Sequence, residues 1–224
     1  QAMRELDFAH YEIENMRGNL ASDQCEYALA AQHYQRALGL AEAINHPEGI
    51  AKTCNNLGLL NLRLGSFAQA EAQLDRAATL YQSLGKADAM IGCRITRAVG
   101  LNLARRFTDA QFVLQKVEQE ISQQSQPRPW QLALLQLGYA ECYLGLGNPQ
   151  QALHYAQLVI DAEEIDLLPD AYRVRGEALT ANGRLEDAEK TLQVAIRLAE
   201  QNEDDSLTAY AWRAIATLYR QQGK

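Results

Sequence analysis

Apolar and small residues recur along this 224-residue chain at spacings of three and four, which is the period of an amphipathic helix. The pattern is clearest from Ala51 to Leu84, where two helical stretches meet at Gly65. The apolar positions are Cys54, Leu57, Gly58, Leu60 and Leu64 in the first stretch, then Phe67, Ala70, Leu74, Ala77 and Ala78 in the second. A glycine between two periodic runs marks a tight turn, so this segment is predicted to be a helical hairpin.

The hairpin pattern repeats along the whole chain. The small residue of the second helix recurs at steps of 40, 40, 42 and 36 residues, as Ala30, Ala70, Ala110, Ala152 and Ala188. Self-similarity at a period of this size predicts a solenoid, in which each helix pair packs on the next. The predicted units cover about 11–44, 51–84, 87–121, 130–162 and 169–202, with a terminal half unit at 207–222.

The repeating unit resembles the tetratricopeptide repeat, a helix-turn-helix motif whose usual period is about 34 residues. The resemblance is carried by Leu57-Gly58, Gly65, Phe67, Ala70 and Ala77. Units near 40 residues are similar to those of bacterial signalling regulators and of adaptors such as kinesin light chain. The resemblance implies an all-α, right-handed superhelical solenoid of antiparallel helix pairs. It would have about 11 helices in a single domain over residues 1–224, and its first helices would line a concave groove.

Composition limits the classes of function. With 47% hydrophobic and 22% charged residues and only five prolines, the chain is typical of a soluble helical protein. It has neither an apolar run long enough to span a membrane nor a signal peptide, so we predict a cytoplasmic protein that does not bind membranes. The net charge of −7 argues against nucleic-acid binding by this domain. Because the chain does not begin with Met, we expect it to be a segment of a longer protein.

The sequence has few groups suited to catalysis or metal binding. The four cysteines lie in different repeats without a C-x-x-C pair, which predicts small buried thiols. Among the histidines, only His10 lies on one helix face with a carboxylate, that of Glu14, and one such pair is too few for a metal site. No nucleophile elbow, P-loop or H-E-x-x-H motif occurs. We therefore predict no metal, no cofactor and no enzymatic activity.

The resemblance also implies which residues face the groove. An apolar centre flanked by amide and charged groups suits an extended or helical peptide, although the apolar members could instead pack against neighbouring helices. The predicted groove residues are Lys52, Asn55, Leu59, Arg63, Ile95, Val99, Asn102, Glu141, Arg173 and Glu177. Asn19 and Asn56 fall where one tetratricopeptide subgroup carries the asparagines of a carboxylate clamp. The cationic positions of that clamp hold Asn15, Gly92 and Thr96 here, so only bonding of a peptide backbone by the asparagines is expected.

We therefore predict a scaffold domain that binds a protein or peptide segment in its groove, within a larger regulator or adaptor. Arg63 favours a partner with acidic residues beside hydrophobic ones. The alternative is a ligand-sensing domain of a bacterial signal-transduction or transcription regulator. A third possibility is self-association through the C-terminal helix, which is apolar on more than one face, as at Tyr210 and Ile215. In that helix, Trp212 is predicted to be a core residue.

Overall fold

The structure is a computed structural model that describes residues 2–202 and 205–223, with side chains from residue 6 onward. Within these residues it consists of α-helices and one short 3-10 turn, Ile165–Leu167, and contains no β-strand. The helices are α1 (Ala2–Asp23), α2 (Tyr27–Ala43), α3 (Pro47–Arg63), α4 (Phe67–Ser83), α5 (Ala87–Leu103), α6 (Phe107–Ser122), α7 (Pro129–Gly145), α8 (Pro149–Asp161), α9 (Leu168–Ala181), α10 (Leu185–Gln201) and α11 (Asp205–Gln221). The predicted all-α arrangement of about 11 helices is confirmed.

The local sequence explains where these helices begin and end. Pro47 and Pro149 occupy the first turn of α3 and of α8. Backbone N–H groups in a first turn have no partner within the helix, so the absence of an N–H group in proline costs no hydrogen bond there. The turn after α3 requires a left-handed residue, and Gly65 supplies it with a φ of +71°. Arg105 has a φ of +59° at the matching place after α5, so that turn forms with the less favourable conformation of a non-glycine residue.

The chain divides into two compact units, Gln1–Ala104 and Arg105–Lys224. Unit 1 contains α1 to α5 and unit 2 contains α6 to α11. The division falls in the turn between α5 and α6, inside the predicted third repeat. A single domain over residues 1–224 therefore stays a prediction.

In unit 1, small residues let paired helices approach closely. A Cβ atom on Gly18 would lie 2.5 Å from the ring of Tyr34, and one on Gly58 would lie 2.6 Å from Cγ of Leu74. These two contacts are equivalent positions 40 residues apart, which confirms the register predicted from the spacing of the alanines. Ala70, a residue of that spacing, is also fully buried.

Unit 2 is built by the same rule. A Cβ atom on Gly176 would lie 2.5 Å from Cγ of Leu192, and α11 packs on α10 through Ile215 and Leu218. Trp212, in contrast, is 52% exposed, so its prediction as a core residue is wrong. It is not among the residues of α11 that pack against α10, which are Ala211, Ala214, Ile215 and Leu218. Tyr210 is also 40% exposed. Self-association through α11 stays a prediction.

The thiols lie mostly in the core. Cys54, Cys93 and Cys142 are buried as predicted, whereas Cys25 is exposed in the turn after α1, where burial was wrongly predicted. Burial raises the pKa of Cys93 to about 12 and that of Cys142 to about 11, so both stay protonated at neutral pH. Over residues 2–202 and 205–223, we find no helix whose length and apolar character would allow it to cross a bilayer.

Candidate functional site

The helices α1, α3 and α5 are the first helices of successive pairs in unit 1, and α3 contacts both α1 and α5. The three therefore lie side by side. Their shared surface, which we call the unit 1 inner face, carries the exposed or half-buried side chains Glu12, Asn19, Lys52, Asn55, Asn56, Leu59, Arg63 and Val99. Polar contacts join neighbouring helices across it. Nζ of Lys52 lies 3.9 Å from Oε2 of Glu12, and Sγ of Cys93 donates to Oδ1 of Asn55 over 3.3 Å.

An amide network connects α1, α2 and α3 at the centre of this face. Nδ2 of Asn56 donates to Oδ1 of Asn15 and to Oδ1 of Asn19, each over 3.1 Å. The hydroxyl of Tyr34 also donates to Oδ1 of Asn19, over 2.9 Å. Asn15 is fully buried beneath the network, while Asn19 is exposed and Asn56 half-buried. The network therefore holds two accessible amides in a defined orientation.

These bonds determine which atoms of each amide remain for a ligand. Both N–H bonds of Asn56 are used, so its Oδ1 remains as an acceptor. Oδ1 of Asn19 already accepts two hydrogen bonds, whereas its Nδ2 makes none to the residues that the structure describes. The inner face thus presents one donor, on Asn19, and one acceptor, on Asn56, which can pair with a C=O and an N–H group of a peptide main chain.

The predicted groove residues at the middle of the inner face differ in their exposure. Leu59 is 41% exposed and Val99 is half-buried, so both have surface that a ligand can cover. Ile95 and Asn102 are only 2% and 8% exposed, and they lie in the interior of unit 1. Ligand contact by these two residues stays a prediction. Their burial agrees with the alternative stated above, in which such residues pack against neighbouring helices.

Arg63 lies at the C-terminal end of α3. Its side chain is exposed, and its Nη1 atom donates to the hydroxyl of Ser22 over 3.3 Å. In the described part of the chain it makes no ion pair, so its charge is available to a carboxylate.

The predicted residues of unit 2 form an ion-pair cluster around Arg173. Its guanidinium lies 2.7 Å from Glu141, 2.8 Å from Asp170 and 3.2 Å from Glu177. Burial disfavours the charge of Arg173, but the three carboxylates outweigh that effect and raise its pKa. Burial also raises the pKa of Glu141, in opposition to the nearby guanidinium. Arg173 is therefore saturated by internal partners.

Some members of these clusters were not predicted. Asp170 lies three residues before Arg173 on α9, a spacing at which helical side chains meet, so the sequence contained a signal for it. The role of Tyr34 was not predicted either, because nothing in the helical pattern indicates that its hydroxyl reaches Asn19. Among residues 2–202 and 205–223, no three His, Cys, Asp or Glu side chains are grouped as metal ligands.

Comparison with known proteins bears on the fold. Residues 51–84 match the family model of the tetratricopeptide repeat. The chain has a tetratricopeptide-like fold. The resemblance seen in the sequence is thereby confirmed, while no curated protein matches the chain by sequence.

Solved structures of the same fold support this conclusion. The crystal structure of a Rap protein complexed with Competence and Sporulation Factor matches with a TM-score of 0.80 and 17% identity, covering 96% of this chain and 60% of that chain. NprR in complex with its cognate peptide NprX matches with a TM-score of 0.78 and 18% identity, covering 96% and 62%. Aspartyl phosphate phosphatase F from Bacillus subtilis matches with a TM-score of 0.74 and 15% identity, covering 97% and 61%. This chain thus spans about three fifths of the length of each.

Proposed function

We propose that the unit 1 inner face binds an extended peptide segment of a partner protein through the main chain of that segment. The observation that carries the proposal is the network in which Asn19 keeps a free donor and Asn56 keeps a free acceptor. An extended peptide exposes both an N–H and a C=O group, and one residue of it can satisfy both amides. Because the amides are held in place, little side-chain entropy is lost on binding.

The surroundings of the amides indicate the side chains of the partner. Leu59 offers apolar surface beside them, and an aliphatic residue buried there would contribute about 1.5–3 kcal/mol. Arg63 can pair with a carboxylate, since no acidic side chain of the described residues engages it. The preferred segment is therefore an aliphatic residue with an acidic residue near it.

The comparisons support a peptide as the ligand class. NprR of the same fold is described with its cognate peptide, and a Rap conjugation regulator with a Phr* peptide. We propose that the present chain acts likewise as the binding domain of a larger regulator or adaptor in the cytoplasm. Catalysis is not part of the proposal, because the inner face brings together amides and ion pairs rather than a nucleophile with its base.

A peptide-array screen tests this function. Wild-type protein is compared with the double variant Asn19→Ala/Asn56→Ala and with Gln35→Ala/Gln69→Ala, a matched pair of exposed positions on the second helices. We expect wild type and the Gln variant to capture the same acidic and aliphatic peptides, and the Asn variant to lose them while keeping its helical circular dichroism. Equal capture by all three proteins would show that the inner face is not the binding site.

A further inference from the structure

A small pocket lies in unit 2, among the first helices of neighbouring repeats. Its volume is about 260 Å³, and residues of α7, α9 and α11 line it. Pockets for drug-sized ligands measure about 300–1,000 Å³, so this one suits a single small molecule. The pocket shares no residue with the unit 1 inner face, so peptide binding at that face is neither needed for its use nor excluded by it.

Each sign of charge occurs once in the lining. Glu177 of α9 is half-buried, and its Oε1 accepts a hydrogen bond from Nη1 of Arg173 over 3.2 Å. Its Oε2 accepts none from the residues that the structure describes. Arg213 of α11 is exposed, and its guanidinium lies 5.2 Å from the centre of the Tyr210 ring. Glu177 and Arg213 thus line one pocket, yet no ion pair joins them within the described chain.

The preceding repeat closes the equivalent pair of charges. Arg213 follows Arg173 by 40 residues, and Glu177 follows Glu141 by 36, the step already seen between the fourth and fifth repeats. Buried residues beside the two arginines match at the 40-residue step; they are Ala171, Val174 and Ala178 in α9, and Ala211, Ala214 and Leu218 in α11. Arg173 lies 2.7 Å from Glu141. The pocket therefore lies where the next repeat leaves the corresponding ion pair unmade.

Two threonine hydroxyls of the lining are oriented as acceptors. Thr180 donates to the backbone oxygen of Gly176 over 2.9 Å, and Thr217 donates to that of Arg213 over 3.0 Å. A hydroxyl has one hydrogen, so each of these can only accept from a ligand. With Oε2 of Glu177 the pocket offers three acceptors, and an ammonium group has three N–H bonds to donate.

The remaining lining is uncharged. Leu144 of α7, Ala181 of α9 and Ala214 of α11 provide apolar surface, and Gln221 provides an amide. A charged ligand side chain would find no further ion partner there, whereas an aliphatic one would cover the apolar surface. The lining therefore suits a ligand with one carboxylate, one ammonium and an aliphatic group.

We propose that the pocket binds a free aliphatic α-amino acid. The carboxylate of the ligand pairs with Arg213, whose fork of donors matches two carboxylate oxygens. Its ammonium donates to Glu177, Thr180 and Thr217, and its side chain covers Leu144. The ligand then bridges Glu177 and Arg213, which do not pair directly, and its binding raises the unfolding temperature of the chain.

Isothermal titration calorimetry of the full 224-residue chain with L-leucine tests the site. Two probes each lack one charge of leucine, since 4-methylpentanoate has no ammonium and 3-methylbutylamine has no carboxylate. We expect L-leucine to bind saturably at millimolar concentration or below, and each probe to bind about tenfold or more weakly. L-Alanine, L-valine and L-isoleucine are titrated as further aliphatic ligands.

Three variants separate the lining from its surroundings. Arg213→Gln removes the cation and should weaken leucine binding about tenfold or more. Thr217→Val removes one acceptor at an exposed position and should weaken binding about threefold to tenfold. Arg220→Gln, at an exposed arginine of α11 outside the lining, should bind as wild type does. Circular dichroism shows whether each variant is folded, and Thr217→Val keeps the test decisive if Arg213→Gln does not fold.

The absence of saturable binding by all four amino acids at millimolar concentration would overturn the proposal. So would unchanged leucine affinity in folded Arg213→Gln and Thr217→Val, or equal affinity of wild type for leucine and 4-methylpentanoate. The Asn19→Ala/Asn56→Ala variant should bind leucine as wild type does. Failure of peptide recognition at the inner face and failure of this pocket are therefore distinguished by separate measurements.

Discussion

The hydroxyl of Tyr34 donates a hydrogen bond to Oδ1 of Asn19 over 2.9 Å, so a residue of the helix-pair core orients an amide of the inner face. Tyr34 is only 4% exposed and cannot itself contact a ligand to a useful extent. It connects packing to binding, because its ring fills the space over Gly18 while its hydroxyl reaches the network.

Tyr34→Phe tests that connection. Removing the hydroxyl leaves Oδ1 of Asn19 with one donor instead of two, so the amide loses orientation, and a hydrogen bond of this kind contributes about 0.5–1.5 kcal/mol. We expect the affinity for an array-selected peptide to fall about threefold to tenfold in isothermal titration calorimetry. Tyr81→Phe is the matched control, since Tyr81 is a buried tyrosine of the equivalent second helix in the next pair. A similar loss in both variants would assign the effect to packing rather than to the network.

Gly58 and Gly39 make a second pair of matched positions in helix interiors. A Cβ atom on Gly58 would lie 2.6 Å from Leu74, so Gly58→Ala should destabilise the fold by about 1–3 kcal/mol through overpacking. Gly39 has open space, and Gly39→Ala should stabilise by about 0.4–1 kcal/mol because alanine restricts the unfolded chain. Urea denaturation measures both. Equal and small effects would mean that α3 and α4 are not held at this close approach.

The carboxylates around Arg173 predict a dependence on pH. In Arg173→Met, burial and the charges of Asp170 and Glu177 still raise the pKa of Glu141 in the folded state, while the guanidinium that opposes them is gone. A raised folded-state pKa favours folding at low pH, so the stability of the variant should increase as pH falls. We expect a loss of about 3–5 kcal/mol relative to wild type at pH 7 and a smaller loss at pH 4.

Urea denaturation at both pH values checks this expectation, with Arg197→Met as a control for the loss of an exposed arginine. If the loss caused by Arg173→Met were the same at pH 4 and pH 7, the cluster would owe its stability to packing of the side-chain stem and not to charge.

The sequence predicted the fold well because small residues at helix crossings leave a periodic signal. Gly58 and Ala70 could be assigned to one crossing since overpacking restricts both positions to small side chains. Contacts between helices 40 residues apart leave no such signal. The bond from Asn56 to Asn19 depends on how far α3 is shifted along α1, and no residue pattern encodes that shift.

The predicted site residues show where periodicity stops being informative. Ile95 has the spacing of a groove residue but is buried, because spacing gives the helix face and not the width of the gap to the next helix. Trp212 has core spacing but is exposed, since a core position is buried only where another helix covers it. Arg173, Glu141 and Glu177 were predicted together as groove residues, and their mutual pairing limits what they offer to a ligand.

The most direct test of peptide recognition is a ¹⁵N–¹H NMR titration of the side-chain amides with a peptide selected on the array. Assignments come from the Asn19→Ala and Asn56→Ala variants. We predict that the side-chain resonances of Asn19 and Asn56 shift together and saturate at the dissociation constant measured by calorimetry. The resonances of the exposed Gln35 and Gln69 side chains, on the second helices, should not shift. Saturating shifts of the glutamine resonances, with the two asparagine resonances unchanged, would contradict binding at the unit 1 inner face.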